Sequence, residues 1–248
     1  MKIDVIYGVQ QLAPQDVQGR VVAVIDVLRA STTIAIALAN GAKTIIPLDS
    51  TEEVATRAKQ LERGAVIRAG ERKMLKAEGF DLGNSPLEHT RDVVEGKTVL
   101  LSTTNGTRAL LAVQGARDVV VASYVNLTGV TTMLRAALRG GADIAIVCAG
   151  HERQFSLEDA ACAGRYVHHI ARRLSGNDLN DAALAATLID RKYGDNLLRL
   201  FNTASHGRAL AAAGFEADLA VCAAVDSCPV IPIFQDRQIT KLGPERER

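Results

Sequence analysis

Ser102-Thr103-Thr104-Asn105-Gly106-Thr107 places four hydroxyls, an amide and a glycine in six consecutive positions. The stretch follows an apolar run, Lys97 to Leu101, that reads as a strand, and precedes Arg108 to Val113, which reads as a helix. At such a turn free backbone N–H groups meet the positive end of a helix dipole, which suits an anion, most often phosphate. The same design stands earlier. Val21 to Val27 is apolar, and Asp26-Val27-Leu28-Arg29-Ala30-Ser31-Thr32-Thr33 carries the chain into a second apolar helix. Two such turns predict a pocket for a phosphorylated small molecule. The Gly-Lys-Ser/Thr ending of a Walker A loop is missing, as is G-x-G-x-x-G, so a dinucleotide is disfavoured.

Asp26 falls at the carboxyl end of a strand, the edge where ligands of open α/β sheets gather. It suits Mg²⁺ ligation, or the role of nucleophile or base. Arg29 suits a phosphate or sulfonate fork. The plainer use is local: Asp26 caps backbone groups, Arg29 pairs with it, and one of Ser31, Thr32 and Thr33 is an N-cap. Three hydroxyls exceed what a cap needs, which points to ligand contacts. Glu158-Asp159, after the apolar run ending at Cys148, are adjacent carboxylates of the kind that bridge Mg²⁺ to phosphate. A capping box with Ser156 accounts for Asp159 alone. Glu71 and Asp81, in an irregular stretch from Gly70 to Asp92, are further metal or substrate candidates, and Asn84 and Ser85 there are substrate candidates or simply a turn before Pro86. His206 is an acid, a base or an anion donor.

Positioning these residues requires repeated units of apolar strand, polar turn, helix and Gly-Ala. They run through Val21–Val27 and Ser31–Ala39, Thr98–Leu101 and Thr107–Val113, then Asp118–Ala122 and Asn126–Arg139, ending in the strand Asp143–Cys148. Such alternation predicts an α/β fold with a mainly parallel sheet. Past residue 150 the pattern turns helical, over Ser156–Leu174, Ala182–Tyr193, Asn196–Phe201, Ala209–Ala213 and an apolar segment Asp218–Val225. A late strand, Val230–Phe234, reads as an edge because of Pro232. The tail from Pro244 to Arg248 reads as frayed. No linker divides the 248 residues, so one α/β domain with a helical C-terminal elaboration is expected, 150–155 being where a subdivision would fall.

Net charge is +1, aromatics make up 4% and Trp is absent, which disfavours nucleic acid. No apolar run approaches the roughly 20 residues of a membrane helix. The cysteines lack paired zinc spacing and read as buried thiols in a reducing cytoplasm.

Six segments in order, Val24 to Thr33, Gly70-Glu71-Arg72, Gly79 to Pro86, Ser102 to Thr107, Phe155 to Asp159 and Ser205-His206-Gly207, resemble the 2-phosphosulfolactate phosphatase family of coenzyme M biosynthesis. The resemblance implies a Mg²⁺-dependent phosphomonoesterase acting on (2R)-2-phospho-3-sulfolactate, an α/β fold and a homo-oligomer, a dimer being favoured. On matching positions Asp26, Arg29 and His206 are expected to be catalytic. Asp26, Glu158 and Asp159 are expected to hold the ion, assisted by Glu71 or Asp81. Both turns are expected to bind phosphate, and Arg72, His206 and Arg208 the sulfonate or carboxylate. A departure follows Arg72, where Lys73-Met74-Leu75-Lys76 stands in place of a glycine-rich continuation. The rivals are a non-catalytic phosphosugar-binding module, and a phosphotransferase or a phosphatase for another small phosphorylated acid.

Overall fold

The computed structural model describes residues 1–62, 64–171 and 178–243. The expected end of the Ser156 helix at Leu174 and the tail from Pro244 lie outside the described residues. The strands are β1 (Ile3–Ile6), β2 (Val21–Ile25), β3 (Thr44–Pro47), β4 (Val66–Arg72), β5 (Leu75–Lys76), β6 (Thr98–Ser102), β7 (Asp118–Ala122), β8 (Ile144–Cys148), β9 (Pro232–Gln235) and β10 (Gln238–Lys241). The helices are α1 (Ala30–Ala39), α2 (Thr51–Ala58), α3 (Arg91–Val94), α4 (Gly106–Ala112), α5 (Leu127–Arg139), α6 (Leu157–Ile170), α7 (Asp181–Tyr193), α8 (Leu197–Thr203), α9 (Ser205–Ala212) and α10 (Glu216–Cys222).

All five residues of β2 are buried, as a strand covered on both faces requires. Val21, Ala23 and Ile25 enter one core with Leu134, Tyr166, Phe201 and Leu210 from the later helices. Val22 and Val24 alternate into a second core with Ile34, Ile45, Leu101 and Leu110. Each such aliphatic side chain contributes roughly 1.5–3 kcal/mol on burial. α5 buries Leu127, Val130, Thr131, Leu134 and Leu138, a stripe at helical spacing. Ser50, Ser156, Asn180 and Asn196 cap α2, α6, α7 and α8 through their side-chain oxygens.

The sheet order is β1-β8-β2-β7-β9-β10-β3-β6-β4-β5. It holds the expected parallel blocks, β1-β8-β2-β7 and β3-β6-β4, joined through antiparallel contacts made by the β9–β10 hairpin. The edge reading of Pro232 is therefore corrected: β9 lies inside the sheet. Proline is tolerated there because it opens the strand, at the end of the ladder opposite Lys241. Among the described residues no helix is long and apolar enough to cross a membrane. All four cysteines are free and buried.

α4 packs against α1 and β2, which brings the Ser102–Thr107 turn to Asp26. Gly106 makes this possible. A methyl group there would lie 2.5 Å from Ala30 Cβ and 2.7 Å from Asp26 Oδ2, so only glycine lets the turns approach. Gly70 (φ 149°) does the same for β4, since its methyl group would lie 2.0 Å from the Ser102 carbonyl oxygen.

Candidate active site

Asp26 stands directly after β2, at the N-terminus of α1. Its Oδ1 accepts from Ala30 N at 3.3 Å and its carbonyl from Ser31 N at 2.8 Å. The helix N-terminus thus receives the carboxylate of Asp26 itself, where the sequence suggested a ligand anion. The three hydroxyls that follow are all engaged within the protein, which corrects the expectation that they contact a ligand. Ser31 Oγ accepts from Asp26 N at 2.9 Å, Thr32 Oγ1 bonds the Val27 carbonyl and Ser123 Oγ, and Thr33 Oγ1 donates to the Asn84 carbonyl at 2.9 Å. They build the turn because buried polar groups there must find partners.

Around Asp26 lies a cavity of about 290 Å³. Asp26, Arg29, Glu71, Asn84, Thr103, Thr104, Asn105 and His206 from the sequence reading line it, and so do Lys73, His151 and Glu152, which that reading missed. Three wall residues carry a buried polar atom with no partner among the described residues: Asn84 Oδ1, Thr104 Oγ1 and His151 Nδ1. Unpartnered buried polar atoms are rare and mark places where a ligand or solvent completes the structure.

The second turn is partly self-satisfied. Thr103 N bonds Thr107 Oγ1, Thr107 N bonds Thr103 Oγ1, and Thr104 N donates to Glu71 Oε1 at 2.7 Å. Among the described residues no hydrogen bond engages the N–H groups of Asn105 and Gly106, which remain for an anion. Ser102 Oγ accepts from Arg72 Nη2 at 2.9 Å, and Ser85 Oγ donates to Asp218 Oδ1 at 2.6 Å.

Burial holds the Asp26 carboxyl up at about 6. His206 and the Ala30 N–H oppose that rise, while the charges of Glu71 and Glu158 add to it. Glu158 is buried and its Oε1 lies 3.1 Å from His206 Nδ1. The His206 ring stacks on His151 at 3.9 Å, and burial, then His206, push the His151 imidazole below its ordinary value. His151 escaped the sequence reading because its meaning comes from this stack with a residue 55 positions away. The signal within reach was the histidine directly after Gly150 at a strand end.

Several expected site residues have other work. Asp159 has a fold role: Oδ1 accepts from Val27 N at 2.9 Å and Oδ2 from Gly150 N at 3.1 Å, tying the ends of β2 and β8 together. Burial and the charges of Asp26 and Glu158 push its carboxyl well up. Asp81 lies outside the cavity, gripped through both oxygens by Arg68, whose guanidinium draws its carboxyl down. Arg72 is bound to the carbonyls of Glu71 and Ser102, and exposed Arg208 donates to the Thr203 carbonyl; neither lines the cavity. Both Glu71 oxygens accept backbone N–H groups, from Thr104 and Met74, so Glu71 organises the wall. Arg29 remains in the wall with its charge already paired. Nη1 meets Asp218 Oδ2 at 2.7 Å, Nη2 meets the Met74 carbonyl, and the guanidinium lies 4.2 Å over Phe215.

Among the described residues no three His, Cys, Asp or Glu side chains form a ready metal cage. Among the described residues, Asp26 Oδ2 and both carboxylate oxygens of Glu152 in the cavity wall, and Glu158 Oε2 behind His206, nevertheless take no hydrogen bond. Acidic Asp26, Glu71 and Glu152 line the cavity against Lys73 and the paired Arg29. At about 4 Å and an effective dielectric near 20, each unscreened like-charge contact with a phosphate costs about 4 kcal/mol. A hard cation shared between carboxylate and phosphate removes that repulsion, and Mg²⁺ typically uses only one or two protein carboxylates. The donor set therefore fits Mg²⁺ held jointly with a substrate.

The family described as 2-phosphosulpholactate phosphatase matches residues 7–237. A protein of Symbiobacterium thermophilum named probable 2-phosphosulfolactate phosphatase is 41% identical over 228 residues, covering 92% of this chain and 97% of the relative. Proteins of the same name are 36% identical in Clostridium botulinum (strain Eklund 17B / Type B), over 98% of this chain and all of the relative, and 38% in Thermotoga maritima, over 87% and 89%.

Proposed function

The chain belongs to the 2-phosphosulfolactate phosphatase family, and from that premise we propose that it is a Mg²⁺-dependent phosphomonoesterase converting (2R)-2-phospho-3-sulfolactate to 3-sulfolactate and phosphate. The observation that carries the reading is the gathering of three unpartnered buried polar atoms, on Asn84, Thr104 and His151, in one cavity around Asp26. The Thr104 hydroxyl and the N–H groups of Asn105 and Gly106 donate to phosphoryl oxygens, while Asn84 Oδ1, an acceptor, is left for the ion or a protonated group of the ligand. Asp26 and Glu158 would hold the ion. Mg²⁺, when bound, offsets the charge of the phosphoryl oxygens in the transition state.

In the net reaction the ester P–O bond breaks, an oxygen from water joins phosphorus, and the departing alkoxide takes a proton. His206 is suited to that last task. Nδ1–H donation to Glu158 Oε1 fixes the ring and leaves Nε2 as its basic nitrogen, which takes a proton from the attacking water and passes it to the departing alkoxide. Arg29 acts by position: its hydrogen bond to the Met74 carbonyl holds the hairpin that forms one wall. The four buried free thiols agree with a reducing cytoplasmic setting, and a homodimer belongs to the same proposal.

The test is phosphate release from synthetic 2-phosphosulfolactate, with and without Mg²⁺, against 2-phospholactate and phosphoglycerates. Mg²⁺-dependent release that favours the sulfonated ester supports the reading. Release from the other esters alone replaces the substrate. Binding without release of phosphate overturns the enzyme and favours a phosphosugar-binding module.

A further inference from the structure

Of the three expected partners of a second acid group, Arg72 and Arg208 are bound elsewhere and His206 is paired with Glu158, and the cavity around Asp26 is rich in carboxylates. A neighbouring groove of about 280 Å³ has the opposite character: Asn105, Arg108, Ala149 and Arg153 line it. Asn105 lines the Asp26 cavity as well, so the two spaces meet at that residue. Resting on the phosphatase reading, we propose that this groove is the subsite for the second acid group of the substrate, a sulfonate or a carboxylate.

Arg29, Arg72 and Arg208 each donate to an acceptor of the protein. Among the described residues the side chains of Arg108 and Arg153 have no hydrogen bond and no ion pair, although two guanidinium groups facing one groove repel each other. An unpaired guanidinium presents a planar fork that matches two oxygens of a sulfonate or carboxylate.

The backbone adds a second argument. Glu152 and Arg153 are the central residues of a two-residue turn, closed by His151 N to Gln154 O at 3.0 Å and Gln154 N to His151 O at 2.8 Å. Both have positive φ, 48° and 63°, where asparagine and glycine are the usual occupants. Strained turns of this kind cluster at ligand sites. This one divides two spaces: Glu152 lines the Asp26 cavity and Arg153 lines the groove. The phosphate end, with its cation, occupies the acidic side, and the second acid occupies the basic side. Arg108 lies in the first turn of α4, three residues after the N-cap Asn105, and both line the groove.

The experiment compares kcat/KM for 2-phosphosulfolactate, 2-phospholactate and p-nitrophenyl phosphate, which lacks a second acid. The proteins are the unaltered chain, Arg108→Gln, Arg153→Gln, the double variant and Lys73→Gln. Direct titration of 3-sulfolactate by calorimetry runs in parallel. Both arginines are exposed, so the substitutions leave the core intact. The preference for acid-bearing esters over p-nitrophenyl phosphate should fall about tenfold for each arginine (about 1.4 kcal/mol), and 3-sulfolactate should bind correspondingly more weakly. Loss restricted to 2-phosphosulfolactate identifies the bound acid as the sulfonate, and equal loss with 2-phospholactate identifies the carboxylate. An unchanged preference in the double variant overturns the proposal, as does the same loss from Lys73→Gln with silent arginine variants. If no ester is hydrolysed the phosphatase reading fails, and the 3-sulfolactate titration still decides the groove.

Discussion

Replacing Asp26 by Asn should make the metal-free protein more stable at neutral pH while removing its activity. In the folded chain burial raises this carboxyl from 3.8 to about 6. At about 1.4 kcal/mol per pH unit, the rise corresponds to roughly 3 kcal/mol. The folded state holds the proton more tightly than the unfolded chain. Stability is therefore fully present below about pH 4 and declines as pH rises toward and through about 6. Above that point the ionised carboxylate opposes folding by an amount comparable with one buried aliphatic side chain. Asparagine keeps the acceptor for Ala30 N and carries no charge, so the decline disappears. For a chain of this size about 1 kcal/mol moves Tm by about 2–4 °C, so the gain should reach roughly 6–12 °C at pH 8. Between pH 4 and 8 the advantage of the variant should shrink steadily toward the acid end. The assay is thermal or urea unfolding of both proteins across that range in a chelator. A variant equally stable or less stable at pH 8, or a difference independent of pH, would refute the reasoning.

Four further outcomes follow from the same geometry. Glu158→Ala should abolish Mg²⁺-dependent phosphate release, and an active variant would remove Glu158 from the ion site. Asp159→Ala should cost about 2–4 kcal/mol in urea unfolding, because it leaves the buried N–H groups of Val27 and Gly150 without acceptors. Gly106→Ala forces Ala30 and Asp26 apart, so turnover should drop about 100-fold or more with KM and kcat both affected. Asp81→Asn, which disturbs only a surface pair with Arg68, should leave kcat and KM within about twofold and stability within about 1 kcal/mol.

What the sequence made legible is what depends on neighbours in the chain. Apolar runs such as Val21 to Ile25 and Ile144 to Cys148 announce strands covered on both faces, and the turns after them follow from polar residues and glycine. Asp26 stood out because a carboxylate ending such a run is unusual. Long-range pairing was not legible in the same way. Pro232 resembles an edge residue until β7 and β10 are found on its two sides. Arg29 looks like a phosphate ligand until Asp218, 189 positions later, takes its charge. Ser31, Thr32 and Thr33 look like ligand contacts because hydroxyl chemistry is the same for a substrate and for a buried carbonyl. Lys73, Glu152 and Arg153 were passed over because nothing in the side chain announces a positive φ. For Lys73 and Met74 (φ 51° and 70°) the missing glycines after Arg72 were the available clue.

The most direct test of the Asp26 cavity as a hydrolytic site is phosphate release from 2-phosphosulfolactate in saturating Mg²⁺, followed for the unaltered chain and for Asp26→Asn. The account predicts turnover by the first and a loss on the order of 100–1,000-fold or more in the second, with the variant still folded. Equal rates from the two proteins would contradict it.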